Sequence, residues 1–501
     1  MKSTITYLQT MKTFSAVTIG AALALPLSSQ TPAAQTASDA PMQKPNIIVI
    51  LVDDFGWGSI GCFGAPAELK TPNIDRLASE GRRFTDVYNT SSVCSPTRYA
   101  LMTGRYYWRT RVKHGGVLAA DSPLHIETNR LTLGSLCQGQ GYRTAAIGKW
   151  HLGIENPPGA NWNMPLTPGA REVGFDYFFG LGANPWNGPH TFIENDSLLG
   201  RIPGESVRVI GGNYGPDTYT EGIEENWDTR YIMETITNKA TGWIEENSSE
   251  PFFLYFATNA THTPIDPHPR FTGSPYGILG DFIEETDWSV GQILATLDSL
   301  NLADNTLVIF ASDDGYARGE YATEAIQAGL PLNGPLRGSK HTDWEGGFRT
   351  PVIARWPGTV PAGTVSDQIF CLSDMLATFA RILDVPLPED NAEDSFDVWR
   401  FFTEEEPGQG EPLPFVIMQN FGSPNAIGNY AIRMGDFKFI EPWDESRGGG
   451  DLYQNPRLYN LRNDIGETNN IFAANAELAE QMQRVLSEAR DRGYTRPGAG
   501  K

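Results

Sequence analysis

The chain has 501 residues, 40% of them hydrophobic and 11% aromatic, enough apolar mass for a large buried core. A formal net charge of −22 argues against a nucleic acid partner, and four cysteines, Cys62, Cys94, Cys137 and Cys371, are too few for a disulfide scaffold. Any anionic ligand must be held by local cations that outweigh the field of the whole protein.

The N-terminus carries Lys2 and Lys12, then the apolar run "FSAVTIGAALALPL" at 14–27, then small residues with A-x-A-like cleavage sites near Ala34 to Ala40. That order reads as a signal peptide and leader over 1–40, with Met11 as an alternative start. It implies export to a bacterial periplasm or beyond. The run is too short and too rich in Ala and Gly for a stable membrane anchor, and no cysteine follows it that would take a lipid.

Further along, continuous apolar runs recur at 46–52, 144–147, 252–257, 306–311 and 350–356. Runs without alternation read as strands buried on both faces, as in a parallel sheet. Helix-like stretches at 73–80, 130–140, 231–246 and 282–300 lie between them, so the fold class is α/β, a wound sheet flanked by helices. This domain spans 44–394. After acidic, Pro-rich linkers near 386–395 and 404–414, short strands at 430–440 and 456–461 and an amphipathic helix at 475–492 predict a smaller α+β subdomain over 395–501.

In open parallel sheets, ligands bind beyond the carboxyl ends of the strands. The first run ends in Asp53-Asp54-Phe55-Gly56 and the run at 306–311 in Ser312-Asp313-Asp314-Gly315. One Asp-Asp pair is ordinarily a solvated turn. Two pairs after buried runs need a cation to offset their repulsion, and hard oxygen ligands suit Ca²⁺ or Mg²⁺ rather than Zn²⁺. The run at 144–147 leads into Lys149 and His151, which an extended backbone would point the same way. The run at 252–257 leads into His262.

The stretch "SSVCSPTRYALMTG" at 91–104 places Cys94 among polar residues. Pro96 suits a helix start and Gly104 its end. A thiol at that helix start sits where free N–H groups favour anions and lower a thiol pKa. Arg98, four residues on, shares its face. Lys340 follows a flexible Gly-Ser in "GSKHTDWEGGFRTP" at 338–351; alone it would be an ordinary surface lysine.

Together these segments resemble the type I, formylglycine-dependent sulfatase family. Cys94-Ser95-Pro96-Thr97-Arg98, continued by Leu101, Thr103 and Gly104, is similar to its signature C-x-P-x-R-x-x-L-x-T-G. "GYRTAAIGKWHLG" (141–153) resembles the second signature. "DDFGWG" (53–58), "THTP" (261–264), "SDDG" (312–315) and the Lys340 segment resemble the remaining blocks, in order. The tail "RLYNLRNDIGETNNIF" (457–472) resembles the family's C-terminal subdomain.

The resemblance implies an alkaline-phosphatase-like fold. It implies that a formylglycine-generating or sulfatase-maturating enzyme oxidises Cys94 to formylglycine, whose hydrated aldehyde is the nucleophile. It implies one Ca²⁺ held by Asp53, Asp54, residue 94, Asp313 and Asp314, although the family most often has Asn at the last position. Arg98, Lys149 and Lys340 would gather the sulfate, with Asp313 accepting a proton from the nucleophile. His262 would bind or protonate the leaving oxygen, and His151 would take the proton that releases sulfate. The nearest resemblance is to the N-acetylgalactosamine-6-sulfatase and arylsulfatase A-like branch. The expected substrate is therefore a sulfated carbohydrate, attacked from its end, with Trp186, Asn187, His190 and the basic stretch 104–116 at the rim. The alternatives are a phosphonate or phosphodiester hydrolase of the same superfamily, or a non-catalytic glycan-binding homologue.

Overall fold

The computed structural model describes residues 44–111, 116–211, 217–224, 227–405, 412–420, 429–442 and 455–500. The leader at 1–40, residues 112–115 of the basic stretch and residues 406–411 of the second linker lie outside the described residues.

The main sheet contains β1 (Asn46–Val52), β2 (Arg82–Tyr88), β3 (Arg143–Lys149), β4 (Tyr177–Leu181), β5 (Ile193–Glu194) and β6 (Ser197–Leu198). A separate ribbon pairs β7 (Arg208–Ile210) with β8 (Tyr219–Glu221). The main sheet is completed by β9 (Phe252–Ala257), β10 (Thr306–Ser312), β11 (Arg349–Arg355), β12 (Thr364–Ser366) and β13 (Phe370–Cys371). Its order is β12-β2-β11-β10-β1-β9-β3-β4-β5-β6, with β13 also on β2.

Five strands, β10, β1, β9, β3 and β4, are mutually parallel and end level. Val52 pairs with Ser312, Leu51 with Ala257, Gly148 with Ala257 and Lys149 with Leu181. The loops after them therefore share one edge. The run at 350–356, expected to be one more parallel strand, instead forms β11 at Arg349–Arg355, antiparallel to both β10 and β2. Continuous apolarity reports burial on both faces but carries no information on direction.

Helices cover both faces. Alternate β1 residues divide between two cores, as the two-residue period of a strand requires. Ile47, Val49 and Leu51 meet α2 (Cys94–Thr103), α3 (Leu133–Gly139) and α8 (Met375–Ile382). Ile48, Ile50 and Val52 meet α1 (Pro72–Ser79), α4 (Ile232–Glu246), α5 (Gly277–Ser299) and α6 (Glu320–Gln327). Helix α5 begins five residues before the predicted stretch. Two short helices remain, α7 (Glu345–Phe348) and α9 (Trp399–Thr403). Phe401 and Phe402 pack in the core with Phe84 of β2.

The smaller sheet is antiparallel, in the order β14 (Val416–Asn420), β15 (Asn429–Met434), β16 (Phe437–Ile440) and β17 (Arg457–Asn460). One face buries Tyr88, Trp344 and Phe348. The other takes Met482 and Leu486 of α10 (Ala476–Arg492), together with Tyr106 and Trp108. The stretch near 386–395 is tied down at its end rather than being a loose linker: Asp394 accepts from Arg109 and from the backbone N–H of Tyr106. All four cysteines are unpaired. Among the described residues, no helix is long and apolar enough to cross a membrane.

Candidate active site

The loops after β1 and β10 interlock. Asp313 N–H donates to Val52 O at 3.0 Å, and Asp54 N–H reaches Asp313 Oδ1 at 3.4 Å. Asp54 has φ 57°, a left-handed turn that Asp tolerates better than most residues and that lets two adjacent carboxylates serve one centre. Oxygens of Asp53, Asp54, Asp313 and Asp314 lie within 4.8 Å of one another, all buried. Gly315 is required beside them, because a Cβ there would stand 1.8 Å from Gly346 O.

Helix α2 starts at Cys94 and ends at Gly104, whose φ of 60° is the left-handed stop expected of it. Cys94 is fully buried although its neighbours in sequence are polar. Its polar flanks bond inward instead, Thr97 Oγ1 to Ser91 O, and Ser95 Oγ accepting from Leu118 N–H. Burial pushes the thiol up, against the pull of Lys149 and Lys340, so the lowering expected from the helix start does not win.

Three cations face the four carboxylates. The buried Arg98 pairs with Asp313 Oδ2 through Nε at 2.9 Å and Nη2 at 2.7 Å, and Nη1 donates to Lys149 O at 2.9 Å. Lys149 pairs with Asp53. Lys340 pairs with Asp54 and, at 3.2 Å, with Asp314, and lies 3.3 Å from Cys94 Sγ. Lys340 is thus no ordinary surface lysine. Burial works to raise Asp53 and Asp54, but Lys149 and Lys340 respectively hold them below the usual carboxylate range. Burial pushes Asp313 up to about 6 and Asp314 well up, with Arg98 and Lys340 opposing only in part.

Lys149 and His151 do not continue one extended strand. His151 has φ 57°, β3 ends at Lys149, and the backbone turns between them. His151 Nε2 donates to Leu118 O at 2.9 Å, which leaves Nδ1 as a buried lone pair with no hydrogen bond among the described residues. Burial, then Lys149 and Arg98, press its pKa well below the usual value. His262 Nδ1 donates to Thr263 O at 2.7 Å, and Nε2 lies 4.0 Å from Asp54 Oδ2. Burial lowers His262 to about 4. The approach from solvent is marked by exposure: His262 and Lys340 are each 7% accessible, whereas the four aspartates, Arg98, Lys149 and Cys94 are at 1% or less.

A divalent cation fits this set. Asp53 Oδ1, Asp54 Oδ2 and Asp314 Oδ1 are buried without a hydrogen bond among the described residues. Such orphaned anionic oxygens are costly unless a cation meets them.

At the rim, Trp150 N–H and His151 N–H donate to Leu181 O and Gly182 O, so the segment after β4 abuts the His151 loop. There Asn187 Oδ1 accepts from Asn184 N–H, and the His190 ring stacks on Trp227. Arg105 and Arg109 of the basic stretch do not face outward as expected, although Arg111 is exposed. Arg105 and Arg109 pair with Glu393 and Asp394, and Tyr106, Tyr107 and Trp108 are buried. Sequence reasoning missed Ser92, Asp343 and Asn420. Ser92 and Asp343 were inside quoted motifs, but nothing local marked their shared partner in β14.

Helices on both faces of a mostly parallel sheet, with titratable groups gathered beyond its carboxyl edge, make an α/β fold of the alkaline-phosphatase-like kind. A phosphonate monoester hydrolase of Agrobacterium radiobacter has this fold (TM-score 0.60, 18% identity, 90% of this chain and 96% of that one). The chain belongs to the sulfatase family, whose description, Sulfatase, matches residues 45–385; it is an enzyme of sulfate-ester hydrolysis. It is 35% identical over 496 residues to an N-acetylgalactosamine-6-O-sulfatase of Bacteroides thetaiotaomicron, covering 90% of this chain and 94% of that protein. A structure solved in work on the metabolism of multiple glycosaminoglycans by Bacteroides thetaiotaomicron superposes with a TM-score of 0.82 at 34% identity, over 90% of this chain and all of the other.

Proposed function

We propose that this protein is an exported sulfatase that removes sulfate from carbohydrates, acting on the ends of polysaccharide fragments. The observation that carries the reading is Lys340 Nζ, 3.3 Å from Cys94 Sγ at the start of α2, beside four buried carboxylates. The similarity to an N-acetylgalactosamine-6-O-sulfatase supports the substrate class.

Asp53, Asp54, Asp313, Asp314 and residue 94 would hold a Ca²⁺. A maturating enzyme would convert Cys94 to formylglycine, whose hydrated aldehyde would supply the nucleophilic oxygen, and a bound Ca²⁺ would supply positive charge to offset that of the sulfate. Cys94 Sγ stands in for that oxygen. Arg98, Lys149 and Lys340 gather the sulfate in a site closed to water, where fixed charges act most strongly. Asp313, held at the centre by Arg98, is the carboxylate assigned to accept the nucleophile's proton. His262 faces the entrance; the negative charge of a bound sulfate raises its pKa and favours the form that donates to the leaving oxygen. His151, neutral and with Nδ1 unengaged, is the base that takes the last proton as sulfate departs.

Mass spectrometry of the peptide spanning 91–105 tests the nucleophile: aldehyde in place of thiol is expected, and an unmodified thiol in active enzyme would overturn the reading. A screen of sulfated mono- and oligosaccharides tests the substrate class, and activity confined to aryl sulfates would sink it. The ratio of kcat/KM on sulfate and phosphate esters separates it from a phosphonate or phosphodiester hydrolase.

A further inference from the structure

We infer that Asn420 and Asp343 are positioning residues that aim Lys340 at residue 94, so that the small sheet is part of the catalytic device. The inference rests on the reading of Lys340 as a sulfate-binding group.

Lys340 sits on the loop between α6 and α7. Its N–H donates to Tyr316 O at 3.1 Å, which fixes one side. The next residue, His341, has φ 65°, a left-handed conformation that is unfavourable for a non-glycine residue. Such a conformation persists only when its surroundings dictate it. Here both backbone polar groups of His341 are clamped. Its N–H donates to Ser92 O at 3.1 Å, and its C=O accepts from Asn420 Nδ2 at 3.2 Å.

Asn420 does more than hold His341. Its Oδ1 accepts from Ser92 Oγ at 2.8 Å, two residues before Cys94, and its Nδ2 donates to Asp343 Oδ1 at 2.6 Å. One buried amide thereby bridges the loop that carries Lys340 and the loop that carries residue 94. Asp343 is the anchor beneath. It is 1% exposed and also accepts from Asn429 Nδ2 at 3.2 Å and Arg457 Nη2 at 2.7 Å. Three strands of the small sheet, β14, β15 and β17, thus each send one side chain to a carboxylate three residues from Lys340. Strand β14 itself is tied to the loop that carries residue 94, with Gln419 N–H donating to Thr90 O at 2.8 Å. Placement on this scale matters, because a 1 Å error in a reacting group can cost about 100-fold in rate.

A mutant cycle on the full, mature enzyme tests this, using 4-nitrophenyl sulfate for turnover and inorganic sulfate for binding by calorimetry. K340A should weaken sulfate binding and lower kcat/KM. N420A, D343N and the smaller change S92A should each lower kcat/KM, N420A by about 10- to 100-fold, while far-UV spectra and melting confirm folded protein. The decisive comparison is in the K340A background, where N420A and S92A should add less than about twofold. If they multiply the loss by the same factor as in wild type, they do not act through Lys340 and the inference fails. If K340A alone leaves sulfate affinity and kcat/KM unchanged, the anion-binding reading fails first and takes this one with it.

Discussion

Asp314 Oδ2 lies 3.2 Å from Lys340 Nζ, both buried. The pair sets the charge of the centre, where four carboxylates face three permanent cations. A divalent ion turns that deficit into a surplus of one positive charge, enough to attract a sulfate monoester despite the protein's net −22. With Asn at 314, as the family more often has, the surplus would be two. We therefore expect D314N to bind Ca²⁺ about 10-fold more weakly, or about 1.4 kcal/mol, and inorganic sulfate more tightly. Calorimetric titration of chelator-stripped protein reads both. An unchanged Ca²⁺ affinity would exclude Asp314 as a ligand.

Arg98 donates to Asp313 through two nitrogens and to Lys149 O through the third. Lysine keeps the charge but not the planar fork. R98K should cost about 3 kcal/mol by urea denaturation, since it leaves buried groups unpaired, and lower kcat/KM by about 100-fold. If stability falls alone, Arg98 is only a structural support.

Much of this was legible because the informative features are local. "NIIVILV" followed by Asp-Asp states both a buried strand and what stands at its end. The helix start at Cys94 was readable from Pro96 and Gly104. What failed to show depended on partners distant in sequence. The burial of Cys94 follows from polar flanks that bond inward, including Ser92 to Asn420, 328 residues away. "RRFTDVY" does not look like a core strand, yet Arg82 is fully buried because its guanidinium donates to Thr364, Phe401 O and Glu404 O. Likewise Arg105 and Arg109 look like a solvated basic face until Glu393 and Asp394 arrive beside them.

His125 should make stability depend on pH independently of catalysis. It is 3% exposed, hydrogen-bonded to Thr110 and stacked on Tyr107, and burial together with Arg111 lowers its pKa to about 4. The unfolded chain therefore takes up a proton near 6.5 while the folded chain resists it. The stabilisation is full above about pH 6.5 and is lost as pH falls toward 4. Between pH 7 and 4.5, wild type should lose about 2 to 3 kcal/mol more stability than H125Q, measured by urea denaturation at each pH. Parallel losses in the two proteins would show that His125 does not titrate differently on folding.

Gly148 separates β3 from β9 immediately before Lys149. Its φ is 107°, and a Cβ there would stand 1.9 Å from Ala257 O, a backbone atom within a paired strand that cannot swing aside. G148A should cost about 3 kcal/mol or more, from overpacking and from the strain of a positive φ. It should also weaken sulfate binding, because the shift is passed directly to Lys149. G242A is the contrasting case. Gly242 lies inside α4 with nothing within 4 Å of its would-be Cβ, so alanine there should stabilise by about 0.5 to 1 kcal/mol. Thermal melts of the two variants beside wild type should move in opposite directions, and a neutral G148A would mean that the two strands are not packed as tightly as this geometry requires.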